Sequence, residues 1–213
     1  MPARHAARTA RRSSFGGALP PAFYDRPTEQ VARELLGRVL EHRTPEGTTA
    51  GRIVEVEAYL GPHDPACHSV VGLTERTRHL HGPPGTAYVY FIYGVHWCVN
   101  AVTREVGHGS AVLLRALEPL RGLALMRARR GRVPDRQLAN GPGKLCQAMG
   151  IDRALDGARF DRGALRILAG EPVAEAEVVV TARIGITKAA DWPLRFVLRD
   201  SAWTSRPGRA AGR

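Results

Sequence analysis

The sequence predicts an α+β fold, a single mixed domain with a curved, mainly antiparallel β-sheet core surrounded by short helices. Alternating or aromatic-rich runs at 38–42, 52–60, 88–102 and 110–117 follow one another at short spacing, as antiparallel neighbours do. Segments with helical periodicity are few and short, and no repeat or clear linker interrupts the chain.

Residues 1–20 form a Ser/Gly/Arg/Ala arm ending at Pro20-Pro21 that reads as disordered. Its composition also fits an organelle transit peptide, but a basic nucleic-acid-binding arm looks the same. Thr28 is placed to cap a helix with Val31, Leu35 and Leu36 on its apolar side and Gly37 at its end. Arg38–His42 and Arg52–Leu60 read as a hairpin around a turn at 44–51. The loop 61–85 is long and polar, and such loops in compact domains are usually functional. Two strands turning or bulging at Gly94 account for 88–102. Ser110–Leu117 is a third strong strand, and Glu118-Pro119 suits the first turn of a helix with a basic face of Arg127, Arg129 and Arg130. A short helix follows the glycine-rich start at 140–144, and 178–186 and 194–199 read as closing strands.

Composition narrows the function. The net charge of +11 and pI near 10.7 favour a polyanionic partner, nucleic acid before an anionic membrane. Much of that charge lies in the arm and in a basic tail at 206–213. Cys67, Cys98 and Cys146 are odd in number and widely spaced, which argues against a disulfide framework or a cysteine zinc site. No apolar run approaches the roughly 20 residues that span a bilayer, and no secretory signal opens the sequence. The expectation is a soluble, intracellular (cytoplasmic, nucleoid-associated) protein.

The rest of the chain is organised around residues 52–68, Arg-Ile-Val-Glu-Val-Glu-Ala-Tyr-Leu-Gly-Pro-His-Asp-Pro-Ala-Cys-His. At a period of two, Val54, Val56, Ala58 and Leu60 face a core, while Glu55, Glu57 and Tyr59 share the other face. Two solvated glutamates on a half-exposed strand would give the same pattern. Arg115, inside the apolar run Val-Leu-Leu-Arg-Ala-Leu, needs a carboxylate partner if buried, and Glu55 or Glu57 is the candidate. Tyr88, Tyr90 and Tyr93 lie within six residues, with Tyr93 out of phase with the other two. In a basic protein such rings are stacking platforms for bases as well as core residues. Asn-Gly-Pro-Gly-Lys144 sets backbone N–H groups and a lysine at a helix N-terminus, suited to a phosphate, though it is no Walker A loop. His63, Asp64, Cys67 and His68 match no familiar metal spacing, so no metal is expected there.

These blocks, together with Pro-Gly-Thr-Ala-Tyr-Val-Tyr-Phe-Ile-Tyr-Gly (84–94), Val-Leu-Leu-Arg-Ala-Leu-Glu-Pro-Leu (112–120), Asn-Gly-Pro-Gly-Lys-Leu-Cys-Gln-Ala (140–148) and Pro-Leu-Arg-Phe (193–196), resemble the alkyladenine (3-methyladenine) DNA glycosylases of the mammalian type, which also occur in bacteria. The resemblance covers nearly all of 22–205 and implies a catalytic domain over 21–205. It implies a monofunctional enzyme that flips alkylated or deaminated purines out of double-stranded DNA and hydrolyses the N-glycosidic bond, without cofactor. Glu57 matches the general base. Arg115 and the backbone carbonyl of Ile184 match the groups that hold the attacking water. Tyr59, His68 and Tyr90 would sandwich the extruded base, the backbone of Ala66 and His68 would read its edge, and Asn100 would line the pocket floor and discourage guanine. Tyr93 would intercalate into the vacated stack and Lys144 would contact phosphate. A monomer is expected. Two other readings fit the same residues: a catalytically silent damaged-DNA-binding protein, and a metal-dependent nuclease using Glu55, Glu57 and Asp64.

Overall fold

The computed structural model describes residues 15–205 of the chain. The basic stretches 4–12 and 206–213 lie outside the described residues. Residues 15–20, expected within the disordered arm, instead run along the sheet, where the Leu19 N–H donates to the Ile167 carbonyl and Ala18 bridges Leu168. Leu19 is buried there, so the folded unit begins before residue 21.

Among the described residues eight strands form one curled antiparallel sheet. They are β1 (Val39–Thr44), β2 (Gly47–Tyr59), β3 (Ala87–Ile92), β4 (His96–Thr103), β5 (Ser110–Arg121), β6 (Leu165–Leu168), β7 (Val178–Thr181) and β8 (Arg195–Leu198). The main order is β3-β4-β5-β2-β1-β6, with β8 on β2 and β7 on β8. The long β2 is its centre: β5 runs along one side, while β1 takes the first half of the other side and β8 takes Glu55–Glu57. Glu55–Glu57 is paired on both edges, by β5 and β8, which suits side chains that must be held accurately.

Two irregularities in the β2–β5 ladder set the site. Ile53 pairs with Leu117 and Glu55 with Ala116, so Val54 is an extra residue on β2. Glu55 then pairs with Ala116 and Val56 with Leu114, so Arg115 is an extra residue on β5. Bulges re-aim side chains, and this one turns Arg115 toward the glutamates. It also corrects the predicted alternation. Ile53 joins Val56 and Ala58 in the main core, whereas Val54 packs with Ala116 and Leu198 in a separate cluster.

Three helices support the sheet: α2 (Thr28–Leu35), α3 (Leu123–Arg130) and α4 (Pro142–Met149), after a single turn α1 (Pro21–Tyr24). Val31, Leu35, Met126, Leu145 and Met149 from them are fully buried against Val56, Val99, Val112 and Leu114 of the sheet. Other sequence expectations shift. Thr28 does not cap α2: Pro27 occupies the cap, and the Thr28 hydroxyl bonds that of Thr103, at 3.0 Å in the interior. Glu118-Pro119 begins no helix, because β5 continues to Arg121. Pro119 is tolerated at the register shift opposite Gly51, where the regular ladder is already interrupted. Gly122, at φ 75°, then turns the chain into α3, and any Cβ there would sit 2.4 Å from the Thr48 carbonyl oxygen. The strand expected over 178–186 stops at Thr181, the last residue β8 can pair, and β6 was not foreseen.

Candidate active site

Cross-strand pairing brings distant residues into one row. Tyr88 pairs with Asn100, Asn100 with Leu113, Leu113 with Glu57, and Glu57 with Arg195, across β3, β4, β5, β2 and β8. Directly opposed residues point to the same face, so this row is one wall of a site. Tyr59 and Ala111 form the next pair on that face, and Tyr90 and Cys98 extend it.

Glu55 and Glu57 are both fully buried, which excludes the solvated reading. Arg115 bridges them: its Nε lies 2.9 Å from Glu55 Oε1 and its Nη1 lies 3.1 Å from Glu57 Oε1. Otherwise the two carboxylates differ. Glu55 also faces Arg195 Nε at 2.8 Å, and it accepts from the backbone N–H and the hydroxyl of Ser205, each at 2.6 Å. Burial pushes its carboxyl up, but Arg115 and Arg195 together outweigh burial and hold it below its ordinary value. Glu57 accepts from the Ile184 N–H at 2.7 Å and from the Tyr59 hydroxyl at 3.0 Å. Here burial dominates Arg115 and both hydrogen bonds, so the carboxyl lies above its ordinary value. Neighbouring carboxyls with pKa values driven apart are the pattern of a divided role, one structural and one reactive.

In front of this pair opens a pocket of about 400 Å³, lined by Tyr59, His68, Tyr90, Asn100, Arg115 and Ile184 among others. That is room for a purine-sized ring system. Glu57 lies just behind it, and all three of its partners line it. His68 opens a short 3-10 turn (His68–Val71), and its ring centroid is 4.4 Å from that of Tyr90. Its Nδ1 shares a 3.0 Å hydrogen bond with the Tyr88 hydroxyl. Burial and then nearby Arg76 push the His68 pKa down, which keeps the imidazole neutral. Burial raises the Tyr88 phenol to about 12 and pushes the Tyr59 and Tyr90 phenols well above their ordinary value, so all three rings are neutral. The Asn100 amide donates to the Tyr88 carbonyl at 3.1 Å and faces the pocket.

Two loops close the flanks. Asp64 accepts from the N–H groups of Leu60 at 3.2 Å and Ala66 at 3.1 Å, and pairs through both oxygens with Arg183 at 2.5 and 2.9 Å. The Ala66 N–H is therefore engaged, leaving its carbonyl to meet a ligand. Every oxygen of Asp64 and Glu55 already accepts from an arginine or an N–H group, which counts against the nuclease reading. On the rim, Tyr93 and Gly94 both take positive φ, 54° and 68°, at the β3–β4 turn, and Tyr93 projects with 77% of its surface exposed. The N-terminus of α4 lines the pocket through Gly141, Pro142, Gly143 and Lys144. Lys144 Nζ donates to Asn140 Oδ1 at 3.0 Å, which leaves it further N–H donors.

Tyr59, Ala66, His68, Tyr90, Tyr93, Asn100, Arg115, Lys144 and Ile184 thus line one pocket with Glu57 behind it, whereas Glu55 and Asp64 do not line it. Arg183, Arg195 and Ser205 were missed. They reach their carboxylates from 119, 140 and 150 residues away, so no local pattern could announce them. An arginine inside an apolar run, as at Arg115, was the available signal: Arg183 in Val-Val-Val-Thr-Ala-Arg-Ile and Arg195 in Pro-Leu-Arg-Phe-Val-Leu.

Comparison with known proteins agrees with this geometry. The family model of methylpurine-DNA glycosylase matches residues 22–202. A protein of Methanoculleus marisnigri is 56% identical over 88% of this chain and 98% of its own length. One from Carboxydothermus hydrogenoformans is 46% identical over the same shares, and one from Myxococcus xanthus is 45% identical over 90% and 96%. Each bears the name "Putative 3-methyladenine DNA glycosylase". The chain belongs to the methylpurine-DNA glycosylase family and is a DNA glycosylase, an N-glycosyl hydrolase acting on alkylated bases.

Proposed function

We propose that the protein extrudes a damaged purine, 3-methyladenine among them, from double-stranded DNA into this pocket and hydrolyses its N-glycosidic bond with a water activated by Glu57. A base inside a duplex is out of reach of a buried carboxylate, so extrusion is required. Tyr93 fills the vacated stack; its exposure at a tight turn supports this. Tyr59, His68 and Tyr90 sandwich the base, and neutral aromatic faces favour electron-poor alkylated rings. Asn100 rejects guanine by crowding its exocyclic amine, and the backbone of Ala66 and His68 reads the base edge. Lys144 and the start of α4 hold a phosphate.

The water lies between Glu57, Arg115 and the carbonyl of Ile184. As the glycosidic bond breaks, water oxygen bonds to the anomeric carbon and gives a proton to Glu57, while the bonding electrons leave with the base. A cationic alkylpurine departs neutral by this route and needs no added proton. The charge of Glu57 stabilises the cationic sugar meanwhile. Lys144, the lysine that lines the pocket, is assigned to a phosphate and not to a Schiff base, so an intact strand with an abasic site is the product and the enzyme is monofunctional. Glu55 serves as the buried counter-ion of Arg115 and Arg195. The catalytic domain acts as a monomer inside the cell, with the basic arm and tail adding salt-sensitive DNA affinity.

The observation that carries this reading is a fully buried carboxylate, raised in pKa, whose three partners all line an aromatic pocket. A single-turnover assay tests it, on end-labelled duplexes carrying hypoxanthine, ethenoadenine or 3-methyladenine, in chelator, read with and without alkali. Strand breaks are expected only after alkali, and E57Q is expected to fall by about 10²–10⁴-fold, the range for loss of a general base. Breaks without alkali, or a fully active E57Q, would reject the mechanism.

A further inference from the structure

We infer that the Asp64–Arg183 pair is a positioning clamp for Glu57, a step that rests on the reading of Glu57 as the base. Both side chains are fully buried, and neither lines the pocket. A buried ion pair is a weak source of stability, since the cost of desolvation offsets most of its attraction. Its position calls for another reason, and its connections supply one. Arg183 Nη1 donates to the carbonyl of Ala58, the residue between Glu57 and Tyr59, at 3.1 Å. The guanidinium carbon lies 4.7 Å from the centroid of the Tyr59 ring. The next residue is Ile184, whose N–H donates to Glu57. Asp64 meanwhile ties down the N–H groups of Leu60 and Ala66, at the start of the loop that carries His68.

Glu57 has two neutral hydrogen-bond donors, the Tyr59 hydroxyl and the Ile184 N–H. One of them is a single residue, and the other a single ring contact, from the same guanidinium. Arg115, the third partner, is anchored separately by Glu55. The clamp therefore governs the two contacts that orient Glu57 and favour its ionised form, without touching substrate. Only a planar fork can hold both Asp64 oxygens and the Ala58 carbonyl at once; an ammonium pairs with Asp64 but cannot reproduce that set.

R183K and D64N, compared with wild type and E57Q, test the clamp. Single-turnover excision from a hypoxanthine duplex is measured across about pH 5 to 9, alongside binding of that duplex and thermal melting. R183K is expected to lose about tenfold in rate at neutral pH while binding changes little. Its acid limb should rise by about one unit, the effect of weakening a hydrogen bond to a charged group. A lower melting temperature with rate and acid limb unmoved would overturn the proposal, because a purely structural pair behaves so. D64N carries the same readouts if R183K does not fold. Failure of both to fold would assign the pair to stability alone and overturn the clamp. E57Q separates the two ideas: an active E57Q rejects the base, whereas an inactive E57Q beside an unchanged R183K rejects only the clamp.

Discussion

Glu55 and Glu57 stand two residues apart on one face of one strand, and what separates their roles is the number of cations that each one faces. Glu55 has two arginines and two donors from Ser205; Glu57 shares one arginine and has two neutral donors. A base must be ionised before it can take a proton, so excision should rise as pH climbs through the pKa of Glu57. Because burial raises that pKa, the acid limb of the single-turnover profile is expected above the ordinary glutamate value of about 4.3. A limb at or below that value would mean that bound DNA reverses the effect of burial. At this scale the sequence was largely legible: period-two spacing put Glu55, Glu57 and Tyr59 on one face and required a carboxylate for Arg115. Nothing in spacing told which glutamate would meet the second arginine, because Arg195 arrives from the far end of the fold.

Among the elements, the β3–β4 hairpin and the β2–β5 ladder show what local pattern does and does not encode. The turn was legible, since Gly94 interrupts an aromatic strand run. Its conformation is less ordinary, because Tyr93 occupies a left-handed φ of 54° that costs a non-glycine residue about 1–2 kcal/mol. Y93G should relieve that strain, so its melting temperature is expected to match or exceed that of wild type while lesion binding and excision fall. A drop in melting temperature together with activity would instead make Tyr93 a folding residue. The bulges at Val54 and Arg115 were not legible. Each inserts one residue without altering the apolar count, so the predicted faces of β2 and β5 go out of phase at the position where the ion pairs form. For the same reason Pro119 looked like a helix start: the break that tolerates it is an extra residue, Leu120, on β5 between the Gly51–Pro119 and Ala50–Arg121 pairs, and an inserted residue leaves no local pattern.

For the whole molecule, buried carboxyls of opposite tendency set how stability depends on pH. Glu55 and Asp64 have depressed pKa values: burial pushes both up, but their arginines and N–H donors outweigh it. They add stability above the ordinary carboxylate range and lose it as pH falls through their own values. Glu57, raised, works the other way: its charge costs stability at neutral pH, and the cost fades as pH falls toward that of the unfolded chain. E57Q is therefore expected to melt no lower than wild type at neutral pH, with any margin shrinking toward about pH 4. Melting curves across that range check the sign, and an E57Q less stable at neutral pH would mean the hydrogen bonds of Glu57 outweigh its burial. The general architecture was readable because strand runs and turns are local signals, whereas the ties among β2, β8 and the 183–205 segment span the chain. One of those ties has a temporal consequence. Ser205 gives both its backbone N–H and its hydroxyl to Glu55. While the chain emerges from a ribosome, the sheet can close on β5 long before this residue appears, yet the Arg115–Glu55–Arg195 cluster stays short of two donors until it does. A nascent or prematurely stopped chain would thus lack two of the donors that hold Glu55, the counter-ion behind the pocket.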